Sequence, residues 1–487
     1  MKRGAYPLLL GAAIALAGCA ITGTADYQRP AAALIGHSAA NGVFASAAAP
    51  AFILDPPPAN WWQLYHDPVL DQMVAQALTA NTDLRVASAN IARSLAHFDV
   101  IDDARQPQTS LFAAPSFGRR SAEEELRPGK PLDNHYTYGI GASVSYQVDM
   151  FGQIARAVES AQADVAAARA AYDAVRITVV AETTRAYLEM CNTGREIDIA
   201  ERSVVLQKKS GALVQKLQHA GRGISLDVTR SDAQLDQVRA SLPPLEAQRQ
   251  LAMYRLAVLT GRPPADMLAL SGACTQAPSL VQAIPVGDGA QLLRRRPDVR
   301  RAEEELKSAH ARIGVATADL YPKVTLGASF ASVGLMGSFL NADTFKFSLG
   351  PLISWQFPNR ARARASIRDA QAQSDAAYAR FDGAVLAALR ETESALTVYA
   401  RDLDRRILLQ STQRNAGKAA HDADVLFQAG RHGYLPVLDA NRTLLAADQA
   451  LAGVESKIAS DQVQVFLALG GGWEEAKTAP ALAASNQ

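Results

Sequence analysis

The chain aligns with itself. Slid by 215 positions, Gln76, Leu78, Asp83, Arg85 and Ala87 fall on Gln291, Leu293, Asp298, Arg300 and Ala302, and the same offset carries Pro107 onto Pro322 and Leu111 onto Leu326. The register then contracts to an offset of 209. It pairs Tyr136 and Ile140 with Phe345 and Leu349, Ser145-Tyr146-Gln147 with Ser354-Trp355-Gln356, Glu182 with Glu391, and Ala220-Gly221-Arg222 with Ala429-Gly430-Arg431. A self-match this long marks a duplication, so one supersecondary unit is built twice. The repeats span residues 65–265 and 280–472, with 266–279 as linker, 19–64 as an N-terminal extension and 473–487 as a tail.

Each repeat reads as helix, strand, strand, long helix, long helix. From Tyr136 to Val148 one parity holds Tyr, Tyr, Ile, Ala, Val, Tyr and Val, and the other Thr, Gly, Gly, Ser, Ser and Gln. That is the period-two pattern of a strand with one apolar face. Phe345 to Phe357 repeats it, though Leu352 breaks the polar set, and shorter partners precede both at Thr109–Phe117 and Lys323–Ser332. Aromatic residues gather at the strand ends and small apolar ones in the middle, as in the girdles of membrane β-barrels. About 13 residues tilted near 45° cover about 30 Å, the depth of a bilayer's hydrocarbon core. A soluble sheet with one face on a core is the other reading. Positions 155–219 and 361–429 lack proline, and each predicts a helix about 100 Å long, followed by a turn and a returning helix. Pro243-Pro244 should bend or interrupt the first returning helix. Helices this long must pack against other helices, in coiled-coil fashion.

The 487 residues carry 49 basic and 48 acidic side chains, so there is no electrostatic footprint for nucleic acid. Three cysteines are too few for a disulfide-rich or zinc scaffold. Met1-Lys2-Arg3 followed by an apolar stretch too short to span a bilayer reads as a signal peptide over residues 1–18. It closes on Leu16-Ala17-Gly18-Cys19, which resembles a lipobox, so Cys19 is the expected lipidation site; a plain secretory signal is the alternative. Ala20 resembles the position-two residue of lipoproteins sorted to the outer membrane. Cys191 and Cys274 remain, and either a disulfide or two buried thiols fits them. The sequence holds no His-Glu-x-x-His, Gly-x-Ser-x-Gly, P-loop or Rossmann glycine fingerprint, so no catalytic site and no cofactor is expected beyond the lipid. Arg294-Arg295-Arg296 and Arg360, Arg362 and Arg364 read as solvated helix starts and membrane-edge anchors.

Several dispersed motifs occur in order: Trp61-Trp62-x-x-Tyr65-x-Asp67-Pro68-x-Leu70, Asn81-x-Asp83-Leu84, Tyr146-Gln-Val-Asp149-Met-Phe151-Gly152, Leu293-Arg-Arg-Arg-Pro297-Asp298, Tyr321-Pro322 and Leu467-Ala-Leu-Gly-Gly-Gly-Trp473. In these the chain resembles the outer-membrane factor family, the TolC-like channels, and especially its NodT-type lipoprotein branch. The resemblance implies a homotrimer in which four strands per protomer close one membrane β-barrel, continuous with an α-helical barrel in the periplasm. Four strands with open edges cannot stand alone in hydrocarbon. It further implies passive export of drugs or small toxic compounds, with a periplasmic adaptor and an inner-membrane pump as partners and outer-membrane lipid as surroundings. The family's tip constriction falls on Leu435, as an apolar gate, and Asp439, as a ring of carboxylates. Pro436 stands where some members have a second acid, so Asp227, at that column of the first repeat, could help. For Asp439 a solvated acid near a helix start is the plain alternative. A periplasmic coiled-coil lipoprotein acting as a tether is the competing function.

Overall fold

The computed structural model describes residues 27–471 apart from 120, 124, 125, 127, 131, 132, 268–273, 275, 276, 281, 356, 358 and 359. Cys19 and Trp473 lie outside the described residues. In chain order the main elements are α1 Pro68–Ala80, α2 Thr82–Asp102, β1 Gln108–Ala113, β2 Ser116–Gly118, β3 His135–Val148, α3 Gln153–His219, α4 Ser225–Ala240 and α5 Leu242–Leu259. The same succession returns as α6 Gly289–Arg295, α7 Pro297–Ala318, β4 Lys323–Leu335, β5 Phe345–Ser354, α8 Arg360–Gln428 and α9 Tyr434–Ala468. The expected single helix at the head of each repeat is therefore a pair. Asn81 caps the second helix of the first pair through its side chain, and Arg296-Pro297 separates the second pair, where proline suits a first helical position.

Contacts divide the chain into two units, one of Met1–Pro30, Ile91–Ala168 and Ala302–Phe381, the other of Ala31–Asn90, Arg169–Arg301 and Asp382–Gln487. The first unit contains an antiparallel sheet of order β1-β3-β4-β5, with β2 also on β3. The strand read as Thr109–Phe117 is two segments, because Pro115 has no N–H to give the ladder, while Ala114 still exchanges both bonds with Gly139. β4 runs three residues beyond the expected Ser332, and β5 stops at Ser354, short of Phe357. On one face the register brings Leu111, Ala142, Phe330 and Phe347 into a row. On the other, Ser110, Ser143, Ser329 and Ser348 form a continuous serine row, with Oγ–Oγ contacts of 2.7 Å and 2.8 Å in its outer pairs. Tyr138 belongs to the apolar face but is only 4% exposed. The connection 336–344 folds over it: the Leu340 N–H donates to its hydroxyl at 2.7 Å, and Phe339 lies against its ring.

The second unit is helical, and its core forms where the segment before α1 meets α3, α5, α8 and α9. Trp61 stacks on Phe466 at 4.7 Å, among the buried side chains of Leu70, Leu188, Leu256, Leu396 and Val463. The extension is tied down by main-chain donors: Leu34 N–H to Asp382, and the Ala45 and Ser46 N–H groups to Glu393. Two short parallel strands, Phe52–Ile53 and Ile284–Pro285, fasten it to the linker side. α3 has 67 residues and α8 has 69. Pro243 and Pro244 sit in the first turn of α5, so the first return breaks at Ser241, whereas α9 runs 35 residues unbroken.

Both repeats close in the same way. Asn81 Nδ2 donates to the Leu259 carbonyl at 3.1 Å, and Arg296 Nη1 donates to the Ala468 carbonyl at 2.9 Å. Asn81 and Arg296 are equivalent under the 215 offset (81 + 215 = 296), and Leu259 and Ala468 under 209 (259 + 209 = 468). Each helix end is followed by a glycine at positive φ, Gly261 at 66° and Gly470 at 67°. At Gly261 a Cβ would stand 2.6 Å from the Ala80 carbonyl, so the close approach also requires glycine. The solvated reading of Arg296 needs correction, since its side chain is only 9% exposed and binds Asp298 and Glu391 at 2.6 Å and 2.8 Å.

Candidate channel constriction

The two helical hairpins turn alike. Gly221 and Gly430 take φ of 73° and 68°, and Arg222 N–H to the Leu217 carbonyl at 2.8 Å repeats as Arg431 N–H to the Leu426 carbonyl at 2.9 Å. These are bonds that satisfy the last carbonyls of a helix once a glycine turns left-handed. After the second turn α9 begins at Tyr434, capped by Gly433. Tyr434, Val437 and Leu438, at positions i, i+3 and i+4, are buried against Val214, with Val228 and Phe427 packed around them. The Tyr434 hydroxyl receives Gln207 Nε2 at 3.3 Å. With that face committed inward, Leu435 and Asp439 project together from the other. Leu435 is 54% exposed and Asp439 is exposed one turn further on. The structure thus brings these two onto one open face.

Asp227 is held differently. It lies in the first turn of α4 and pairs with Arg230 at 3.7 Å, its side chain largely covered. Arg230 is the 209-offset partner of Asp439 (439 − 209 = 230), so the equivalent columns carry opposite charges. Arg230, unlike Asp227, is not among the residues expected at this turn, although the same 209 offset that carries Pro436 onto Asp227 carries Asp439 onto it. A cavity of about 400 Å³ between the two turns is lined by Leu217, Arg222, Asp227, Phe427, His432 and Tyr434.

Cys191 and Cys274 are bonded, with Cα atoms 5.0 Å apart, and tie α3 to the linker beyond α5. Gly194 makes room for this crossing, because a Cβ there would lie 2.9 Å from the Cys274 carbonyl. Between α8 and α9, Lys457 bonds both Asp402 and Asp461. Burial, and then the hydrogen bond with Asp402, push the Asp461 carboxyl up to about 6. Asp402 is penalised by burial as well, but its lysine partner holds it below the usual carboxylate range. Arg360, Arg362 and Arg364 are exposed at the start of α8. Among the described residues no helix is long and apolar enough to cross a membrane, and no cluster of three His, Cys, Asp or Glu could hold a metal ion.

The sequence model of the family described as "Outer membrane efflux protein" matches residues 73–262 and 289–471. The outer membrane protein OprJ of Pseudomonas aeruginosa is 28% identical over 470 residues, covering 96% of this chain and 95% of its own. Nodulation protein T of Rhizobium leguminosarum bv. viciae is 25% identical over 419 residues, covering 86% of this chain and 85% of its own. Among solved structures, the outer-membrane channel OprN superposes with a TM-score of 0.85 at 32% identity, over 92% of this chain and 99% of that one. CusC, at 23% identity and a TM-score of 0.78, shares the fold. The chain belongs to the outer membrane efflux protein family, and it is an outer-membrane efflux channel.

Proposed function

We propose that three copies of this chain close one barrel through their sheets and one α-helical barrel through their helices. On this reading the trimer passively conducts drugs or other small toxic compounds outward from an inner-membrane pump through a periplasmic adaptor. The observation that carries it is the state of the edge strands. Every residue of β1 and of β5 is exposed, with Leu111 at 85% and Phe347 at 83%. In an outer-membrane protein the unpaired N–H and C=O groups of those edges need partners, because hydrocarbon offers none. Copies of the same sheet supply them, with the leucine and phenylalanine face to lipid and the serine row to the lumen. A purely tethering lipoprotein would have no use for such a sheet. The channel needs no catalytic step and no cofactor, and the two repeats of residues 65–265 and 280–472 each contribute one strand pair and one hairpin.

The anchor and the gate complete the proposal. Tyr27 packs on His310 at 5.8 Å and Arg29 pairs with Glu303 at 2.6 Å, so the extension enters the first unit along α7. Cys19 lies eight residues before Tyr27 (27 − 19 = 8), a reach of at most about 29 Å. The remaining helix from His310 to Ala318 is about 12 Å long, so a diacylglycerol on Cys19 has the length to enter the bilayer beside the strands. At the second turn, three copies of Leu435 form an apolar plug, and three Asp439 carboxylates attract cations beyond it. Asp227 contributes little negative field there because Arg230 neutralises it. Purified protein should run as a heat-resistant trimer that dissociates on boiling, with a lipid mass on an N-terminal Cys19. A monomer under native conditions would sink the barrel; an unmodified Cys19 would sink the anchor.

A further inference from the structure

The serine row continues, two residues nearer the connections 119–134 and 336–344, into a tier of different chemistry. The register sets Phe112, Gly141, Ala331 and Lys346 side by side on the serine face. The Phe112 ring reaches over two glycines. A Cβ at Gly141 would stand 2.8 Å from it and 2.6 Å from the Ala331 Cβ, and one at Gly139 would stand 3.4 Å from it. The glycines therefore act as the floor of the ring, whose upper side stays open, leaving Phe112 44% exposed. Lys346 is exposed, and among the described residues no carboxylate lies within ion-pair distance of it. Both side chains line one cavity of about 660 Å³, together with Val333, Leu335, His135 and Asp133. A large aromatic facing the polar side of a membrane strand is out of pattern with the alternation below it, where that side holds serine and glycine.

We infer that this tier is a solute-binding site near the channel's exit, taking aromatic organic anions: the ring of the solute stacks on Phe112 over the Gly139–Gly141 floor, and its carboxylate or sulfonate faces Lys346. The site rests on the proposal that the serine face is the lumen. Charge decides the class of solute, since Lys346 sits in the Phe112 row whereas Asp133, the one acid among the described lining residues, lies outside that row, before β3. Phe112 offers a stacking face to a ring, and since that face would by itself favour a cation, the preference for an anion comes from the ammonium; only a solute with both a ring and a negative charge uses the whole tier.

The test is block of ion current through the purified trimer in a planar bilayer. 2-Naphthalenesulfonate is the probe, with methanesulfonate as the aliphatic anion and 2-naphthol as the neutral aromatic. Wild-type channel should be half-blocked by the naphthalenesulfonate at a concentration about tenfold below either control. Phe112→Ala should lose the advantage over methanesulfonate, and Lys346→Gln the advantage over naphthol. Phe112→Tyr and Lys346→Arg should keep both, which separates recognition from a merely assembled barrel. Conducting wild-type channels with equal block by all three solutes, or a Phe112→Ala channel that retains the preference, would overturn the site and leave the channel intact. No conductance from any trimer would overturn the channel reading and the site with it.

Discussion

The two repeats run the same course of helices and strands and diverge in what locks them. In the first, the returning helix breaks at Ser241, a neutral Asn81 closes it, and a disulfide pins its linker to α3. In the second, α9 is unbroken, a buried arginine closes it, and the Asp402–Lys457–Asp461 cluster binds it to α8. The backbone plan is thus common property, and the divergence lies in charge. The covalent staple holds the half with the interrupted helix, and ionic locks hold the half that carries Leu435 and Asp439. The contrast at the turns, Arg230 against Asp439, is the same divergence at the point where the channel is proposed to close.

The largest effect should come from the buried ionic lock. Arg296→Met removes the charge-assisted bonds to Asp298 and Glu391 and one of the two donors to the Ala468 carbonyl, which keeps Thr392 Oγ1 at 3.3 Å; summed over those bonds it should cost about 3–5 kcal/mol, against about 1–3 kcal/mol for Asn81→Ala at the equivalent cap. Thermal unfolding of the two variants side by side measures it, and equal losses would erase the distinction between the caps. Replacing Cys191 and Cys274 together with serine should cost about 2–4 kcal/mol, since the staple closes an 83-residue separation, and wild type under reducing agent should lose as much. Where the repeats agree they should also fail alike. Ile140 and Leu349 are equivalents (140 + 209 = 349) on the apolar face, and arginine at either should cost about 2–4 kcal/mol per copy and deplete the trimer, whereas Ser143→Ala on the opposite face should be tolerated.

The ionic cluster makes a smaller prediction with a definite sign. A carboxyl raised from its unfolded value to about 6 contributes stability that is present at low pH and is lost as pH rises through about 6. Asp461→Asn should therefore stabilise the protein at pH 7, by about 1–3 kcal/mol, and that advantage should shrink as pH falls below about 6 and disappear only below the ordinary aspartate value of 3.8. An advantage independent of pH would mean that Asp461 is ionised throughout. The first repeat, with Thr193, Gln248 and Ala252 at the equivalent positions, has no such switch.

The duplication, the strand periods and the long helices were legible because each is a pattern repeated many times. Single substitutions inside the pattern were not. Arg296 reads as one of three surface arginines, and only the meeting of α6, α8 and the end of α9 shows that it is enclosed. Phe52–Ile53 and Ile284–Pro285 are too short to carry a period, and the extension is held by main-chain N–H groups, which leave no mark on side-chain pattern. Phe112 sits on a short edge strand, where alternation over six residues says little about which face an aromatic takes. Leu435 and Asp439 came from the family resemblance. Their shared open face follows from the burial of Tyr434, Val437 and Leu438 between them.

The central claim is that three copies enclose a continuous pore closed at the second turn by Leu435. Single-channel conductance of wild type and Leu435→Ala in the same planar bilayers tests it most directly. The account predicts a small, mostly closed conductance for wild type and a several-fold larger, persistently open one for Leu435→Ala, with multivalent cations blocking both until Asp439 is also replaced. Equal conductance in the two would place the constriction elsewhere, and no conductance in either would contradict the pore itself.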